Sequence, residues 1–188
     1  MTLVLTGLAN GFRVEARNTV DAFGIDYFLI QNGAVGPFLG SSPFGQADVA
    51  RAQRLPGVQS AAGLVYAGIT ALDNGTPRTM NMFGAPTDGP GMPAMSHGRP
   101  PANADEIAVS STLGRNIGDH LDIASHNLEV VGIVEDSTVL AEQPNLFLTV
   151  AGAQRQEQAT AAGQGVGAAA GWLVLVPAPG GGGEIGFV

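Results

Sequence analysis

Two strand-like segments separated by a turn signal constrain the fold of this chain more than any other feature. Residues 58–72 are rich in residues that favour β-strands, and an Asp-Asn-Gly sequence at 73–75 is typical of a tight hairpin turn. In the segment that follows, residues 78–84, Met80 and Met82 are two positions apart and so share one strand face. The pattern predicts a long β-hairpin.

Shorter strands and helices alternate along the rest of the chain. The local residue patterns predict strands at 27–31, 106–110, 119–123, 128–134 and 145–150, and helices at 46–55 and 112–117. Asn127 predicts a turn, and the Val- and Ile-rich segment 128–134 predicts an interior strand. Because most strand connections read as hairpins, the predicted class is α+β: a mixed, mostly antiparallel sheet with short helices and a longer N-terminal helix.

The N-terminal helix is predicted over residues 3–24. Its apolar side chains recur at three- and four-residue intervals and form one stripe: Leu5, Leu8, Phe12, Ala16, Val20 and Phe23. The start of the segment is uncharged, but no segment of the chain reaches the roughly 20 apolar residues that cross a bilayer. Periodicity alone fits two structures equally, the first helix of a soluble domain or the last turns of a membrane helix.

The charged residues exclude several function classes. All 8 basic residues are Arg, against 16 acidic residues, and the chain has no Cys. Without Lys there is no P-loop lysine and no Schiff base, and without Cys there is no thiolate nucleophile, disulfide or Cys-based zinc site. A net charge of −8 also argues against a nucleic-acid partner, which needs a clustered positive surface.

Methionine and histidine side chains form the first candidate metal site. Thioethers and imidazoles suit copper(I), and the residues concerned are Met80, Met82, Met92, Met95 and His97. The favoured interpretation is that the methionines fill irregular gaps in the core. The loop at 85–104 also leaves Met92, Met95 and His97 as candidates for contact with a partner protein.

A second candidate metal site lies around residues 119–126. His120 and Asp122 alternate onto one strand face, with Asp119 and His126 nearby. A zinc or nickel site needs at least a third ligand, which the sequence does not offer, so these residues are interpreted as solvated turn residues.

The remaining motifs carry no enzyme signature. Gly-rich residues 163–168 have the spacing of a dinucleotide-binding loop but lack the preceding strand and the following βαβ unit, so a loop is predicted. Ser110, Ser111 and Thr112 lack the glycines of a nucleophile elbow and are interpreted as helix caps. No catalytic residue, cofactor site or metal site is assigned.

The second half of the chain resembles the extracytoplasmic domain of FtsX/MacB-like ABC transporter permeases. The resemblance rests on residues 106–121, where a strand ending in hydroxyl residues enters a short helix and a Gly-Asp turn, and on the Val-Val-Gly-Ile-Val segment within 128–136. Residues 145–150 and the Leu-Pro-Gly-Val step at 55–58 are also similar to the family pattern. The helix at 3–24 is similar to the family's first transmembrane helix, which favours the membrane interpretation of that segment.

The resemblance implies three segments and a role in transport. Residues 1–24 are expected to be the end of a transmembrane helix and stalk, 25–155 the MacB-like core domain, and 156–188 a flexible Gly/Ala-rich tail, so that the chain is expected to be a fragment. The family's domains sit on the extracytoplasmic side of the cell membrane, contact substrate or periplasmic partners, and move as a separate ATPase subunit closes. A permease dimer, a periplasmic or cell-wall partner and no cofactor are expected.

Two other functions remain open at this point. One is a secreted binding protein, linked to copper through the methionine and histidine residues named above. The other is a small hydrolase with a site near Ser111.

Overall fold

The computed structural model describes residues 27–29, 45–73, 75–123, 126–139, 142–164 and 170–177. In these residues the helices are α1 (Gln46–Ala52) and α2 (Val150–Gln164). The strands are β1 (Tyr27–Leu29), β2 (Val58–Asp73), β3 (Thr76–Ala85), β4 (His97–Gly98), β5 (Glu106–Ser110), β6 (His120–Ile123), β7 (His126–Val134), β8 (Thr138–Val139), β9 (Gln143–Thr149) and β10 (Ala170–Pro177).

One mixed sheet connects these strands. Its order is β1-β10-β2-β3-β9-β5-β7-β4, while β6 pairs with β7 and β8 pairs with β9. The pairs β3–β9 and β5–β7 are parallel and the other described pairs are antiparallel. The predicted α+β class with a mostly antiparallel sheet is confirmed. The predicted N-terminal helix at 3–24 lies outside the described residues.

The sheet has a packed core on each face. Met82 and Phe83 are neighbours in β3 with no exposed surface, and strand alternation sends their side chains to opposite faces. The helical face carries Met80, Met82, Ile107, Leu146 and Leu148 and is covered by α2 through Ala153 and by β6. The loop face carries Leu64, Phe83, Ala108, Phe147 and Val134 and is covered by Met92 and Met95. We use these two names for the faces below.

Strand β2 joins two ladders. Its first half, from Val58 to Tyr66, pairs with β10, and its second half, from Val65 to Asp73, pairs with β3. The two ladders overlap only at Val65 and Tyr66, which have a partner on both sides. The predicted long hairpin is therefore confirmed, and its first strand also connects the β1–β10 edge to the rest of the sheet.

Both flanking segments of the chain attach at one end of the sheet. Strand β10 runs antiparallel to β2 and ends with Pro177 opposite Val58, the first residue of β2. Strand β1 runs antiparallel to β10 and begins with Tyr27 opposite Leu175. The chain therefore enters β1 and leaves β10 at the end of the sheet where β2 begins.

Three local predictions differ from the structure between Ser110 and Val134. The helix predicted at 112–117 is a single 3₁₀ turn over Ser111–Leu113 that stops at Gly114, whose left-handed φ of 63° ends the helical path. Gly118, predicted to end that helix, lies in the following turn with a φ of 89°. Asn127, predicted to form a turn, pairs with Asp122 inside the β6–β7 ladder, where its side chain donates to the Asp122 carboxylate at 2.7 Å.

The C-terminal segment also differs from its prediction. Helix α2 runs across the expected boundary at residue 155, and β10 lies between β1 and β2 rather than in a flexible tail. The physical reason is that the apolar run at 172–176, whose strand character the composition allows, finds an unpaired edge on the first half of β2. Residues 178–188, with the glycine tract, lie outside the described residues.

Candidate interaction surface

The loop at residues 86–105 lies against the loop face of the sheet. Met92 and Met95 are half-buried and pack on the cluster around Phe83 and Phe147. Gly132 of β7 makes this close approach possible, because a Cβ placed there would lie 2.7 Å from the Met95 sulfur and 2.5 Å from the Arg99 carbonyl oxygen. The methionines therefore fill the space between the loop and the sheet.

Strand β4 attaches the middle of the loop to β7. The Ser96 amide and hydroxyl both donate to the Ile133 carbonyl, at 2.8 and 3.0 Å, and the Arg99 amide donates to the Val131 carbonyl at 2.9 Å. Gly98 has a left-handed φ of 77°, and a Cβ there would collide with the Val131 carbonyl oxygen. The backbone is thus held close to the sheet while the His97 side chain is exposed.

An ion pair fixes the end of the loop to the start of β5. The Arg99 guanidinium donates to both Glu106 carboxylate oxygens, at 2.6 and 2.8 Å, in a bidentate arrangement. The same carboxylate accepts the Ala102 amide and the Asn103 side-chain amide, each at 2.8 Å. The Glu106 side chain is 11% exposed, so this loop is closed around a nearly buried carboxylate.

These contacts shift the acid–base properties of the pair. The hydrogen bonds from Arg99 outweigh the effect of burial and, with the Ala102 amide, lower the pKa of Glu106 to about 2. The hydrogen bond to Glu106 likewise raises the pKa of Arg99 above its ordinary value. Both groups therefore stay charged across the physiological pH range.

A second ion pair connects the same loop to helix α2. The Arg155 guanidinium donates to the Asp105 carboxylate at 2.7 Å and to the Ala104 carbonyl oxygen. Gly152 lets the helix come near, since a Cβ there would lie 3.4 Å from the Ala104 Cα atom. The loop thus contacts β7, β5 and α2. Neither ion pair is predicted from the sequence, in which the one signal is the acidic residue that opens the apolar strand at 106–110.

The structure separates the residues of the copper hypothesis. Met80 and Met82 are completely buried on the helical face, whereas Met92 and Met95 pack on the loop face. Because the sheet lies between the two pairs, the four sulfurs cannot converge on one ion with His97. The interpretation of these methionines as core-filling residues agrees with this placement, and a copper site built from all five residues has no geometric basis.

The other candidate residues take structural positions. His120 and Asp122 are exposed on one face of the β6–β7 ladder, opposite Glu129 and Asn127. The Ser110 hydroxyl accepts the Thr112 amide at 3.3 Å as an N-cap, and Ser111 donates to Asp136 at 3.4 Å. Within the described parts of the chain, no three His, Asp or Glu side chains are grouped to hold a metal ion.

Comparisons with known proteins agree with this architecture. The family described as the MacB-like periplasmic core domain matches residues 1–179. The chain belongs to this family. The resemblance to the extracytoplasmic domain of an FtsX/MacB-type ABC transporter permease is therefore confirmed.

The similar proteins are mycobacterial permeases and a solved MacB domain. An uncharacterised ABC transporter permease of Mycobacterium bovis is 56% identical over 155 residues, which cover 82% of this chain and 44% of that protein. One from Mycobacterium tuberculosis is 54% identical over the same coverage. The crystal structure of the periplasmic region of MacB from Actinobacillus actinomycetemcomitans aligns with a TM-score of 0.56 at 14% identity, over 84% of this chain and 78% of that one. That likeness shows the fold.

The chain spans 44% of the length of the mycobacterial permeases that it matches. In the described residues, neither helix has the length and apolar character needed to cross a bilayer.

Proposed function

We propose that this MacB-like domain stands on the outer surface of the cell membrane as part of an ABC permease and transmits conformational change between the membrane and an extracytoplasmic partner. One observation carries the proposal: the chain enters β1 and leaves β10 at the same end of the sheet. Two flanking membrane helices, the first ending within residues 1–24, then attach side by side at that end.

Strand β2 is the proposed route of transmission. A displacement at the β1–β10 edge acts on the first half of β2, and the second half of the same strand belongs to the packed core with β3. Val65 and Tyr66 connect the two ladders. Because Phe83 and Phe147 fill the core without exposed surface, the core moves as a unit when β2 moves.

The proposed partners are those that the family resemblance implies. ATP hydrolysis is assigned to a separate ATPase subunit on the other side of the membrane, and the permease to a dimer. Met92, Met95 and His97 belong to the proposed contact with a periplasmic or cell-wall protein. His97 is the exposed member of the three, and the two methionines hold the loop in place.

Transmission is tested by distances between the two copies of the permease. Gln59 and Leu72 are exposed residues near opposite ends of β2, about 40 Å apart along the strand, and the 188 residues contain no cysteine. A nitroxide is attached to Gln59→Cys or to Leu72→Cys. In a dimer, pulsed electron paramagnetic resonance should then give one distance per variant, between the nitroxides of the two copies. Both distances should change when ATP binds in the presence of the ATPase subunit.

One control and two outcomes that would contradict the proposal complete this experiment. Omitting the ATPase subunit should abolish both changes. A change at position 59 with none at position 72 would contradict transmission through β2, and absence of dipolar coupling at both positions would contradict the dimer.

The partner contact is tested by photo-crosslinking in intact cells. With benzoylphenylalanine in place of His97, irradiation should link the permease to an extracytoplasmic protein. The matched control is Thr79, exposed on β3 outside the loop, which should give no product. The product should also decrease with Gly132→Val, because the added side chain displaces Met95 and Arg99. Equal yields at positions 97 and 79 would contradict a contact through the loop.

A further inference from the structure

We propose that Arg51 of helix α1 and Arg54 in the turn that follows it form a contact surface for anionic phospholipid headgroups. The inference rests on the proposed function, because the orientation of the domain on the membrane brings α1 to the bilayer. It assigns lipid binding to a part of the chain that lies outside the loop at residues 86–105.

Helix α1 lies at the end of the sheet where the flanking segments attach. The turn after the helix leads within a few residues to Val58, which pairs with Pro177, the last residue of β10. Val49 and Ala52 pack inward against Ala61 of β2 and fix the helix to this strand. The C-terminal end of α1 therefore sits beside the points where the chain enters and leaves the sheet.

The two arginines are available for an external anion. Both side chains are exposed, and neither forms a salt bridge with a residue that the structure describes. Arg54 uses its Nε atom to donate to the Ala50 carbonyl at 2.9 Å, which leaves the two terminal nitrogens of the guanidinium. The other arginines in the described residues are each paired with a carboxylate: Arg78, Arg99, Arg115 and Arg155.

The acidic residue of the helix is engaged elsewhere. Asp48 is in the first turn of α1 and accepts the Gly45 amide at 2.9 Å. It therefore caps the N-terminal end of the helix, whereas Arg51 lies in the last turn of the helix and Arg54 in the turn that follows.

The opposite end of the sheet carries exposed acidic residues. Strand β7 runs in the same direction as β2, so Glu135 and Asp136, which follow it, lie at the end away from α1. Glu142 directly precedes β9, which runs the other way, and lies at that end too. A chain of net charge −8 is repelled by an anionic surface in most orientations. Asp105 and Glu129, exposed at the starts of β5 and β7, lie nearer the α1 end, so the proposed contact depends on Arg51 and Arg54 rather than on the overall charge distribution.

The experiment measures which lipid surrounds α1. The permease with its ATPase subunit is reconstituted in nanodiscs of phosphatidylcholine and phosphatidylglycerol, with a fluorophore on Gln59→Cys or Leu72→Cys. The quencher is a nitroxide near the top of the acyl chain, carried either by phosphatidylcholine or by phosphatidylglycerol. At position 59 and low salt, phosphatidylglycerol that carries the nitroxide should be preferred about tenfold as a quencher over phosphatidylcholine that carries it. The reason is that each arginine near the membrane surface favours an anionic lipid severalfold.

Variants separate the arginines from net charge. The pair Arg51→Gln and Arg54→Gln should remove the preference, the pair Arg51→Lys and Arg54→Lys should keep it, and high salt should screen it. The matched control, Thr79→Glu with Ala94→Glu, lowers the net charge by the same two units at exposed positions and should keep the preference.

The outcomes distinguish this inference from the proposed function. If position 59 is quenched more than position 72 but shows no preference for phosphatidylglycerol, or a preference that survives Arg51→Gln with Arg54→Gln, the headgroup contact is overturned and the orientation stands. If positions 59 and 72 are quenched equally, the proposed orientation itself fails.

Discussion

Replacing Gly84 with valine should lower the free energy of unfolding of the 188-residue chain by about 3 kcal/mol. Gly84 lies in β3 on the helical face, and a Cβ there would collide with the Cβ of Ala153 in α2. The Val65 Cβ and the Thr149 carbonyl oxygen would each be 3.3 Å away, so the new side chain has no free direction. Helix α2 must therefore move off the sheet. Urea unfolding followed by circular dichroism measures the loss.

Gly68 provides the matched control for this substitution. It lies in β2, the strand adjacent to β3, and nothing approaches within 4 Å of a Cβ placed there. Gly68→Val should leave stability unchanged or raise it by up to about 1 kcal/mol, because valine favours an extended backbone more than glycine does. Equal effects of the two substitutions would contradict a tight contact between α2 and β3.

Local sequence patterns predicted where the strands lie in the chain but not which strands pair with each other in the sheet. The β2–β3 hairpin follows from a turn signal between two strand-like segments, and the interior strand β7 follows from its run of Val and Ile. The parallel pairing of β3 with β9 joins residues more than 60 positions apart, as Asn81 and Asn145 do. No local preference specifies such a pairing, which depends on how the two faces are filled.

Small residues explain why the C-terminal region was predicted differently. Helix α2 has Gly and Ala where an amphipathic helix has large apolar side chains, so its sequence predicts little burial. In the structure these small residues allow the helix to approach closely. A Cβ placed at Gly84 would collide with the Cβ of Ala153, and Gly152 lies near Ala104. The small side chains of Gly152 and Ala153, which lie within the predicted core domain, are the condition for this tight packing.

The loop at residues 86–105 was predicted in part. Its position in the chain and its methionines are visible in the sequence, whereas the ion pair that closes it is not. Arg99 and Glu106 are seven residues apart and separated by two prolines, a spacing that no helix or hairpin rule connects. The pair forms because Glu106 opens a buried strand and needs donors, and Arg99, Ala102 and Asn103 supply them.

Replacing Glu106 with glutamine should destabilise the chain by about 2 kcal/mol at neutral pH. The substitution keeps the size of the side chain but removes the charge that accepts two hydrogen bonds from Arg99. The matched control is Glu129→Gln: Glu129 is opposite Glu106 in the β5–β7 ladder, but it is exposed. Its effect should stay within about 0.5 kcal/mol. Urea unfolding of both variants beside the unsubstituted chain gives the comparison.

The pH dependence of this difference tests the ion pair itself. The pKa of Glu106 is about 2 in the folded chain and near its ordinary value of 4.5 in the unfolded one. A lowered folded pKa means that ionised Glu106 contributes its full stabilisation above about pH 4.5 and loses it progressively as the pH falls toward 2. The gap in unfolding free energy between the unsubstituted chain and Glu106→Gln should therefore be constant near neutrality and close in acid. A gap of the same size at pH 7 and pH 3 would show that the loss of the carboxylate charge is not what destabilises Glu106→Gln.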